Sequence, residues 1–439
     1  MTKKSPFDKP FLDFPELIEL LVSRGLIINS KFTATELLQE YGYYNLINGF
    51  KPPFLHGNHK QNGSETFKTD ASLIKIAGEF LLDSQFQEIL LTDILPVENH
   101  FKTLIGYEVA KNFGVNDHTV NDPNNPDSSE QSYLYPDNYI TQNRNDVISF
   151  IRNKVLTSDD NPVKYYRENH NHIPPWILVS NMTLGSAAEF YKILPSNLKT
   201  NVVNGLIDPL KNEDLGQKKM LFLSAVEVLR QFRNAAAHSS PVYLTKANFS
   251  KHMINPPSAK VLKKYLGSGS ISNAPGISKR NNLFVALLMI LLLTQKQARR
   301  EHFVQKLETL EQSYLVSNEN SEHQFTSDLY YTYLEMADLP KDYIPRLKKA
   351  NEILDTHGTL SDQIILTDQN GNPETVSLEI PLHSNGAVAQ NRLVWVLPHG
   401  RSYHLSSSCS RIRGSNHHPR QEYLIEAQER GLTPCKYCN

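Results

Sequence analysis

Cysteine is scarce in this sequence: there are three among 439 residues, all within the last 31 positions. A secreted disulfide framework needs several cysteine pairs distributed along the chain, and three clustered residues cannot supply it. Clustering at one end indicates a local site instead. We therefore expect the cysteines to act together in a small C-terminal module.

Long apolar runs are also lacking. The longest is LFVALLMILLL, the eleven residues from Leu283 to Leu293, and a helix of that length cannot span the core of a bilayer. We predict a buried core helix there. The N-terminal stretch MTKKSPFDKPFLDF has no apolar core of the kind found in signal peptides. The expectation is a cytoplasmic protein without a membrane partner.

Acidic residues are absent from one long internal segment. The 73 residues from Val228 to Arg300 contain no Asp or Glu and twelve Lys or Arg, whereas the rest of the chain carries 33 basic and 46 acidic residues. A contiguous positive surface is what a phosphate backbone requires. The alternative is that these charges scatter over several faces and only solvate the protein. The predicted RNA-binding residues are Arg230, Lys246, Lys251, Lys260, Lys263, Lys264, Lys279 and Arg280.

The hydrophobic pattern predicts a mainly α protein. Helical periodicity dominates an N-terminal region, residues 1–115, and a second helical domain, residues 116–355. A turn-rich polar stretch predicts a long loop over residues 116–143. In the N-terminal region, Pro96 indicates a break or kink in what is either one long amphipathic helix or two.

The pattern changes after the helical domain. Residues 356–395 contain two β-branched runs around Asn370-Gly371, which is a strong hairpin signal. Residues 396–439 begin with a further hairpin pattern and hold all the cysteines. The sequence therefore predicts a helical body followed by a hairpin linker and a small β-containing tail.

The segment QFRNAAAHSSPVY, residues 231–243, combines an arginine with a histidine at the end of a predicted helix. Apolar residues recur at helical spacing before Arg233, and Pro241 ends the helix, which places His238 in or just past the last turn. Asn234 lies four residues before His238 and shares its face. An arginine can stabilise phosphate oxygens and a histidine can transfer a proton near neutral pH, so these side chains suit RNA cleavage without a metal.

Spacing alone does not distinguish this motif. Arginine and histidine recur at similar spacing in RENHNH, Arg167 to His172, and in RIRGSNHH, Arg411 to His418. The structural alternative for RNAAAH is a surface cation followed by a histidine that caps the helix end. RENHNH runs into the extended segment IPPW without an apolar helix beneath it, so no second catalytic motif is predicted there.

The segment RNAAAH followed by SSPVY resembles the R-N-x3-H motif of HEPN ribonuclease domains. Four further blocks resemble, in the same order, those of Abi-like abortive-infection proteins of the AbiD/AbiF type. They are KPFLDFPELIELLVSRGLII, YGYYNLINGFKPPF, DILPVENHFKTLIGYEVAKNFG and PPWILVSNMTLGSAAEFYKIL. The resemblance covers roughly residues 5–310, and its five blocks in order are far more specific than any one of them.

The resemblance implies a HEPN-type helical fold, a catalytic pair of Arg233 and His238 supported by Asn234, and a homodimer with a composite active site. It also implies an antiphage abortive-infection or toxin–antitoxin endoribonuclease that needs no metal for catalysis and associates with a structured non-coding RNA. Two alternatives stay open: a non-catalytic protein that holds a structured RNA through the basic segment, and a metal-dependent nuclease. The latter is disfavoured because carboxylates and histidines do not cluster at ligand spacing.

The C-terminal tail contains H-x4-C followed, after 25 residues, by C-x2-C. A C-x2-C knuckle with a second ligand pair beyond a spacer is typical of tetrahedral zinc sites. The predicted ligands are His404, Cys409, Cys435 and Cys438. His417 and His418 are rivals of His404, and a redox pair of Cys435 with Cys438 or unligated thiols are alternatives to zinc. Four protein ligands leave no position for water, so a structural zinc is expected.

Overall fold

The structure of the protein is a computed structural model in which the chain forms two compact units, Met1–Leu360 and Ser361–Asn439. The residues that it describes are 11–56, 65–118, 120–122, 125–207, 215–245, 282–315, 321–356, 363–367, 373–377, 393–397, 401–404, 409–413, 419–423, 427 and 432–437.

The larger unit begins with two short helices. Helix α1, Phe14–Ser23, is capped reciprocally: the Glu16 amide donates to the Asp13 side chain, and the Asp13 amide donates to the Glu16 carboxylate. The chain leaves α1 through Gly25, whose φ of 92° is a conformation that favours glycine. Helix α2 spans Lys31–Tyr41.

The longest described helix is α3, Leu73–Phe113, with 41 residues. Pro96 lies inside α3 without dividing it, so of the two alternatives raised by the sequence the single helix is confirmed. Its apolar residues pack against several other helices, which explains why so long a helix is stable. Charged side chains are buried on it as well, at Glu79, Asp83, Glu98, Lys102 and Glu108.

Short elements follow α3. Strands β1, Val120–Asp122, and β2, Asn125–Glu130, pair antiparallel within the stretch predicted as a long loop, so residues 116–143 are only partly irregular. The turn-forming residues that indicate a loop also suit a hairpin. Helix α4, Arg144–Phe150, continues as a π-helical turn to Val155. The next helices are α5 Val163–Asn169, α6 Pro175–Leu178, α7 Leu184–Ile193 and α8 Ser196–Leu206.

The remaining helices complete the core of the larger unit. They are α9 Leu215–Ala237, α10 Leu283–Leu293, α11 Gln297–Leu315, α12 Ser321–Met336 and α13 Tyr343–Thr356. Helix α9 packs along α3 and against α10. Helix α10 is buried at every position, as its apolar sequence predicts. Within the described ranges, no helix combines the length and apolarity that crossing a membrane requires.

The smaller unit contains the predicted hairpin. Strands β3, Gln363–Thr367, and β4, Pro373–Ser377, pair antiparallel on either side of Asn370-Gly371. The molecule is therefore mainly α with a β-containing tail, as expected.

The described residues of the smaller unit also include a four-stranded sheet, in the order β7-β5-β6-β8. Strand β5 is antiparallel to β6 and β7, whereas β8 pairs with β6 in parallel. The elements are β5 Leu393–Val396, β6 Ser402–His404, α14 Ser410–Arg413, β7 Arg420–Tyr423 and β8 Thr433–Pro434.

Candidate functional site

Helix α9 presents an apolar side to the core and ends within the segment RNAAAH. Leu221, Val228 and Phe232 are buried, as their helical spacing predicts. Burial of such side chains stabilises by about 1.5 to 3 kcal/mol each, which ties the helix firmly to α3. The polar residues that follow Phe232 are therefore presented by a well-anchored helix.

A Schellman turn ends α9. Ser239 adopts a left-handed φ of 51°. Its amide donates to the Ala236 carbonyl at 3.2 Å, and the Ser240 amide donates to the Ala235 carbonyl at 2.9 Å. These bonds fix the backbone on both sides of His238, which is the first residue past the helix, as the sequence predicts.

The three predicted catalytic residues differ in exposure. The Arg233 side chain is 33% exposed, Asn234 is half-buried and His238 is exposed. The His238 amide donates to the Asn234 carbonyl at 3.1 Å. Among the residues that the structure describes, no side chain hydrogen-bonds to the imidazole, so a supporting role for the Asn234 amide stays a prediction. The imidazole is open to an incoming molecule.

A buried acidic side chain of α3 lies at ion-pair distance from Arg233, without a hydrogen bond to it among the described residues. Glu98 Oε2 lies 3.5 Å from Arg233 Nε, and Glu98 Oε1 lies 3.1 Å from Lys102 Nζ. Lys102 also donates to the Met182 carbonyl at 3.0 Å. Glu98 is only 3% exposed, and a carboxylate at that depth requires compensating charge. Since two cations share one carboxylate, positive charge is in excess at this point.

Glu98 is not among the site residues that the sequence predicts. A signal was present in VENHFK, where Glu98 and Lys102 lie four residues apart and therefore on one face of the predicted helix. The sequence does not reveal that α9 passes this point of α3. Contact with Arg233 now places Glu98 in the site.

The basic segment between residues 228 and 300 is described only in part. Arg230 is paired with Glu227 at 2.5 Å, so its charge is largely compensated. Arg300 is buried and donates to Asn351 Oδ1 at 2.6 Å, which is a structural contact. The other predicted RNA-binding residues lie outside the described residues: Lys246, Lys251, Lys260, Lys263, Lys264, Lys279 and Arg280.

The arginine of RENHNH has a different environment from Arg233. Arg167 donates to the carbonyls of Leu156 and Ser158 at 3.0 and 2.8 Å and pairs with Asp159 at 3.3 Å. Its guanidinium therefore stabilises the neighbouring loop that contains Leu156, Ser158 and Asp159. His172, at the end of the same segment, contacts the adjacent Asn171 side chain at 2.8 Å.

The smaller unit brings three predicted zinc ligands together. Because β6 and β8 pair in parallel with Tyr403 opposite Pro434, the next residues, His404 at the end of β6 and Cys435 just after β8, lie side by side. Cys409 precedes α14 and faces them. One ligand atom from each residue lies within 4.8 Å of the others, and all three residues are buried. Three of the four predicted ligands therefore lie close enough together to hold a metal ion.

The distances in the cluster fit a tetrahedral metal site. Cys409 Sγ lies 3.3 Å from His404 Nδ1 and 3.9 Å from Cys435 Sγ. Tetrahedral zinc with ordinary bond lengths separates such atoms by about 3.6 and about 3.8 Å. The sulfur–sulfur distance is far too long for a disulfide. Burial lowers the pKa of His404, which favours the neutral imidazole that binds metal. Cys438, His417 and His418 lie outside the described residues.

Comparison with known families bears on the stretch that holds Arg233. The family model described as Abi-like protein matches residues 36–244. That stretch is similar to Abi-like proteins. It includes Glu98, Arg233 and His238, so the match supports the resemblance where the candidate site lies. No curated protein and no solved structure matches the chain.

Proposed function

We propose that the protein is a HEPN-type endoribonuclease of abortive-infection type that cleaves RNA without a catalytic metal. One observation carries this proposal: Arg233 is held by buried Glu98 while its side chain stays partly exposed, and His238 is exposed at the end of the same helix. An anchored cation and an accessible proton-transfer group at the end of one helix suit phosphodiester chemistry.

The proposed reaction is an in-line transfer within the RNA. The 2′-hydroxyl oxygen attacks its own phosphorus, the bond to the 5′-oxygen breaks, and a 2′,3′-cyclic phosphate and a 5′-hydroxyl result. His238 takes the proton from the 2′-hydroxyl or gives one to the leaving oxygen. The Arg233 guanidinium stabilises charge on the non-bridging oxygens, and its fork suits two of them at once.

The chemistry supports a homodimer as the active form. In-line transfer benefits from one group that takes a proton and one that gives it, whereas one copy of the motif supplies a single histidine. A second copy of the chain would supply the other. RNA, as substrate and as a bound structured non-coding RNA, is the proposed partner, supported by the acid-free segment of residues 228–300.

Cleavage of a labelled single-stranded RNA of mixed sequence in EDTA tests the function. We expect cleavage by the wild-type protein and a loss of about 10²- to 10⁴-fold in His238→Ala, since a positioned acid–base group contributes that much. His172→Ala, in the segment that lacks the predicted site, is the matched control and should cleave like the wild type.

The competing functions give other results. Tight RNA binding without cleavage in either protein would support the non-catalytic RNA-binding alternative. Cleavage that stops in EDTA and returns with magnesium would support a metal-dependent nuclease. Equal losses in His238→Ala and His172→Ala would remove His238 from the mechanism.

We further propose that the cluster in the smaller unit binds a structural zinc ion through His404, Cys409, Cys435 and Cys438. The buried, closely spaced sulfur and nitrogen atoms are the donor set that zinc prefers. A zinc ion there would cross-link β6, α14 and the chain after β8, which helps a small unit to stay folded when few of its described residues are buried and apolar.

Metal content of the purified full-length chain tests this proposal. We expect about one zinc ion per wild-type chain and little in Cys435→Ser, because a site that loses one of four ligands binds zinc far more weakly. His417→Ala and His418→Ala are matched controls and should retain the ion, whereas His404→Ala should lose it. Unchanged zinc in Cys435→Ser would remove the site.

A further inference from the structure

The chain that follows His238 is hydrogen-bonded to a buried carboxylate of α3, that of Asp83. Asp83 Oδ2 accepts from the Val242 amide at 3.0 Å, and Asp83 Oδ1 accepts from the Tyr243 amide at 3.0 Å. Asp83 has no exposed surface. Two consecutive backbone amides that converge on one carboxylate fix both the position and the direction of the chain at this point.

Side chains from two helices complete the arrangement. Tyr333 of α12 donates its hydroxyl to Asp83 Oδ1 at 2.8 Å, and Gln87 of α3 donates to Asp83 Oδ2 at 2.8 Å. The Tyr333 ring stacks on Phe86 with centroids 5.0 Å apart. Four donors therefore surround the carboxylate, and a charge so deeply buried is tolerated only with such donors.

The same contacts lead back to the end of α9. Gln87 Nε2 lies 3.3 Å from the Ser240 carbonyl, and the Ser240 amide donates to the Ala235 carbonyl inside the helix. Tyr243 Oη donates to the Gly49 carbonyl at 2.5 Å. His238 lies between two fixed points, the last turn of α9 before it and the attached chain after it.

An ordinary packing role would not need this arrangement. A helix end can be closed by the Schellman turn alone, which satisfies the carbonyls of the last turn. The Asp83 contacts begin beyond that turn, at Val242, and bury a carboxylate at considerable cost. Their effect is to hold the left-handed residue Ser239 and the exposed His238 in one conformation.

We infer that Asp83, with Gln87, is a positioning residue for His238: its carboxylate holds the chain of residues 240–243 on α3 and thereby sets where the imidazole meets the RNA. The inference rests on the proposed function. Asp83 does not touch the RNA, and it acts through the backbone. Misplacement of a catalytic group by about 1 Å can cost about 10²-fold in rate, so the effect should be large.

Asp83→Asn tests the inference in the full-length protein. Its amide keeps the shape of the side chain but turns one acceptor into a donor, which opposes the Val242 or the Tyr243 amide. With the labelled RNA in EDTA, we expect kcat to fall 10- to 100-fold while KM stays within twofold, because RNA contacts are unaffected.

Glu79→Gln is the matched control. Glu79 lies one turn before Asp83 on the same helix and is also buried, but neither of its oxygens has a hydrogen-bond partner within the described part of the chain. Burial and the neighbouring Asp83 raise the pKa of Glu79 to about 9, so its carboxyl is neutral at pH 7 and an amide replaces it closely. We expect kcat and KM of Glu79→Gln to match the wild type.

Hydrogen exchange of residues 234–243 supplies a reading that does not depend on activity. In Asp83→Asn we expect at least tenfold faster exchange of the Val242, Tyr243 and Ser240 amides, and no change in Glu79→Gln. Should Asp83→Asn fail to fold, Gln87→Met removes the contact to Ser240 and one of the four donors to Asp83, and it should lower kcat several-fold with faster exchange at Ser240.

Each combination of exchange and cleavage results supports or overturns the positioning role of Asp83. Faster exchange with unchanged kcat would overturn the inference, and so would equal losses of kcat in Asp83→Asn and Glu79→Gln. If the wild type cleaves no RNA, the proposed function fails on its own. The exchange data then still support or overturn the attachment of the chain around His238 to Asp83.

Discussion

Two segments of the molecule carry an arginine and a histidine at nearly the same spacing, RNAAAH at the end of α9 and RENHNH at the end of α5. In the first, Arg233 meets a buried carboxylate that Lys102 already neutralises. In the second, Arg167 donates to two backbone carbonyls and an exposed aspartate. The Arg233 guanidinium therefore lies where positive charge exceeds negative charge, whereas the Arg167 guanidinium stabilises the loop that contains Leu156 and Ser158.

The comparison teaches that the partner of the arginine is more informative than the spacing of the motif. Two backbone carbonyls and a surface carboxylate accept hydrogen bonds from Arg167 and give it a structural role. A carboxylate shared by two cations leaves Arg233 attractive to an anion. The helix ends differ too, because α9 ends in a left-handed turn and α5 ends at His170 in extended backbone.

Replacing each arginine with lysine tests the comparison most strongly. Lysine keeps a positive charge beside Glu98 but lacks the planar fork, so we expect Arg233→Lys to lower the cleavage rate about 10²-fold with little loss of stability. Arg167→Lys should cleave normally and lose about 1 kcal/mol of unfolding free energy, because one lysine amine cannot reproduce the bonds to both carbonyls. Cleavage rates and urea unfolding of both variants measure this.

The opposite result would break the comparison. A normal cleavage rate in Arg233→Lys would show that its fork is not used on phosphate. A cleavage defect in Arg167→Lys without a loss of stability would mean that RENHNH belongs to the site.

Glycine substitutions at the C-terminal ends of α9 and α5 should have a smaller effect than the arginine substitutions, and it should be on stability. Ser239 has a φ of 51°, so Ser239→Gly should stabilise the protein by about 1 kcal/mol, because glycine adopts this conformation without strain. His170→Gly should destabilise by a similar amount, since His170 is extended and its ring packs 4.4 Å from the Tyr166 ring. Thermal unfolding measures both, and a gain at His170 or a loss at Ser239 would contradict the expected difference.

Much of the fold follows from local pattern. The apolar run of α10 predicts a helix buried on every side, and Asn370-Gly371 predicts the β3–β4 hairpin, and both are found. Local pattern did not foresee β1 and β2 inside the predicted loop, since residues that form turns occur in loops and hairpins alike. It also could not decide whether Pro96 divides α3, because packing against neighbouring helices compensates for the lost hydrogen bond.

The candidate site was predictable where its parts lie close in sequence. The position of His238 just past α9 and the cluster of His404, Cys409 and Cys435 follow from spacing and turn residues. Glu98 and Asp83 did not, since the residues around His238 that they contact lie more than 100 residues away and only helix packing brings them together. Sequence periodicity identifies the buried side of a helix but not the helix that covers it.

Helix α3 carries both Asp83 and Glu98, fifteen residues apart along one uninterrupted helix. The spacing between these two attachment points is thus set by helical rise, at about 22 Å, rather than by loops. Inserting one residue between them would turn one carboxylate by about 100° relative to the other. It would release either Arg233 or the chain after His238. The number of residues between Asp83 and Glu98 is therefore constrained, whichever residues occupy those positions.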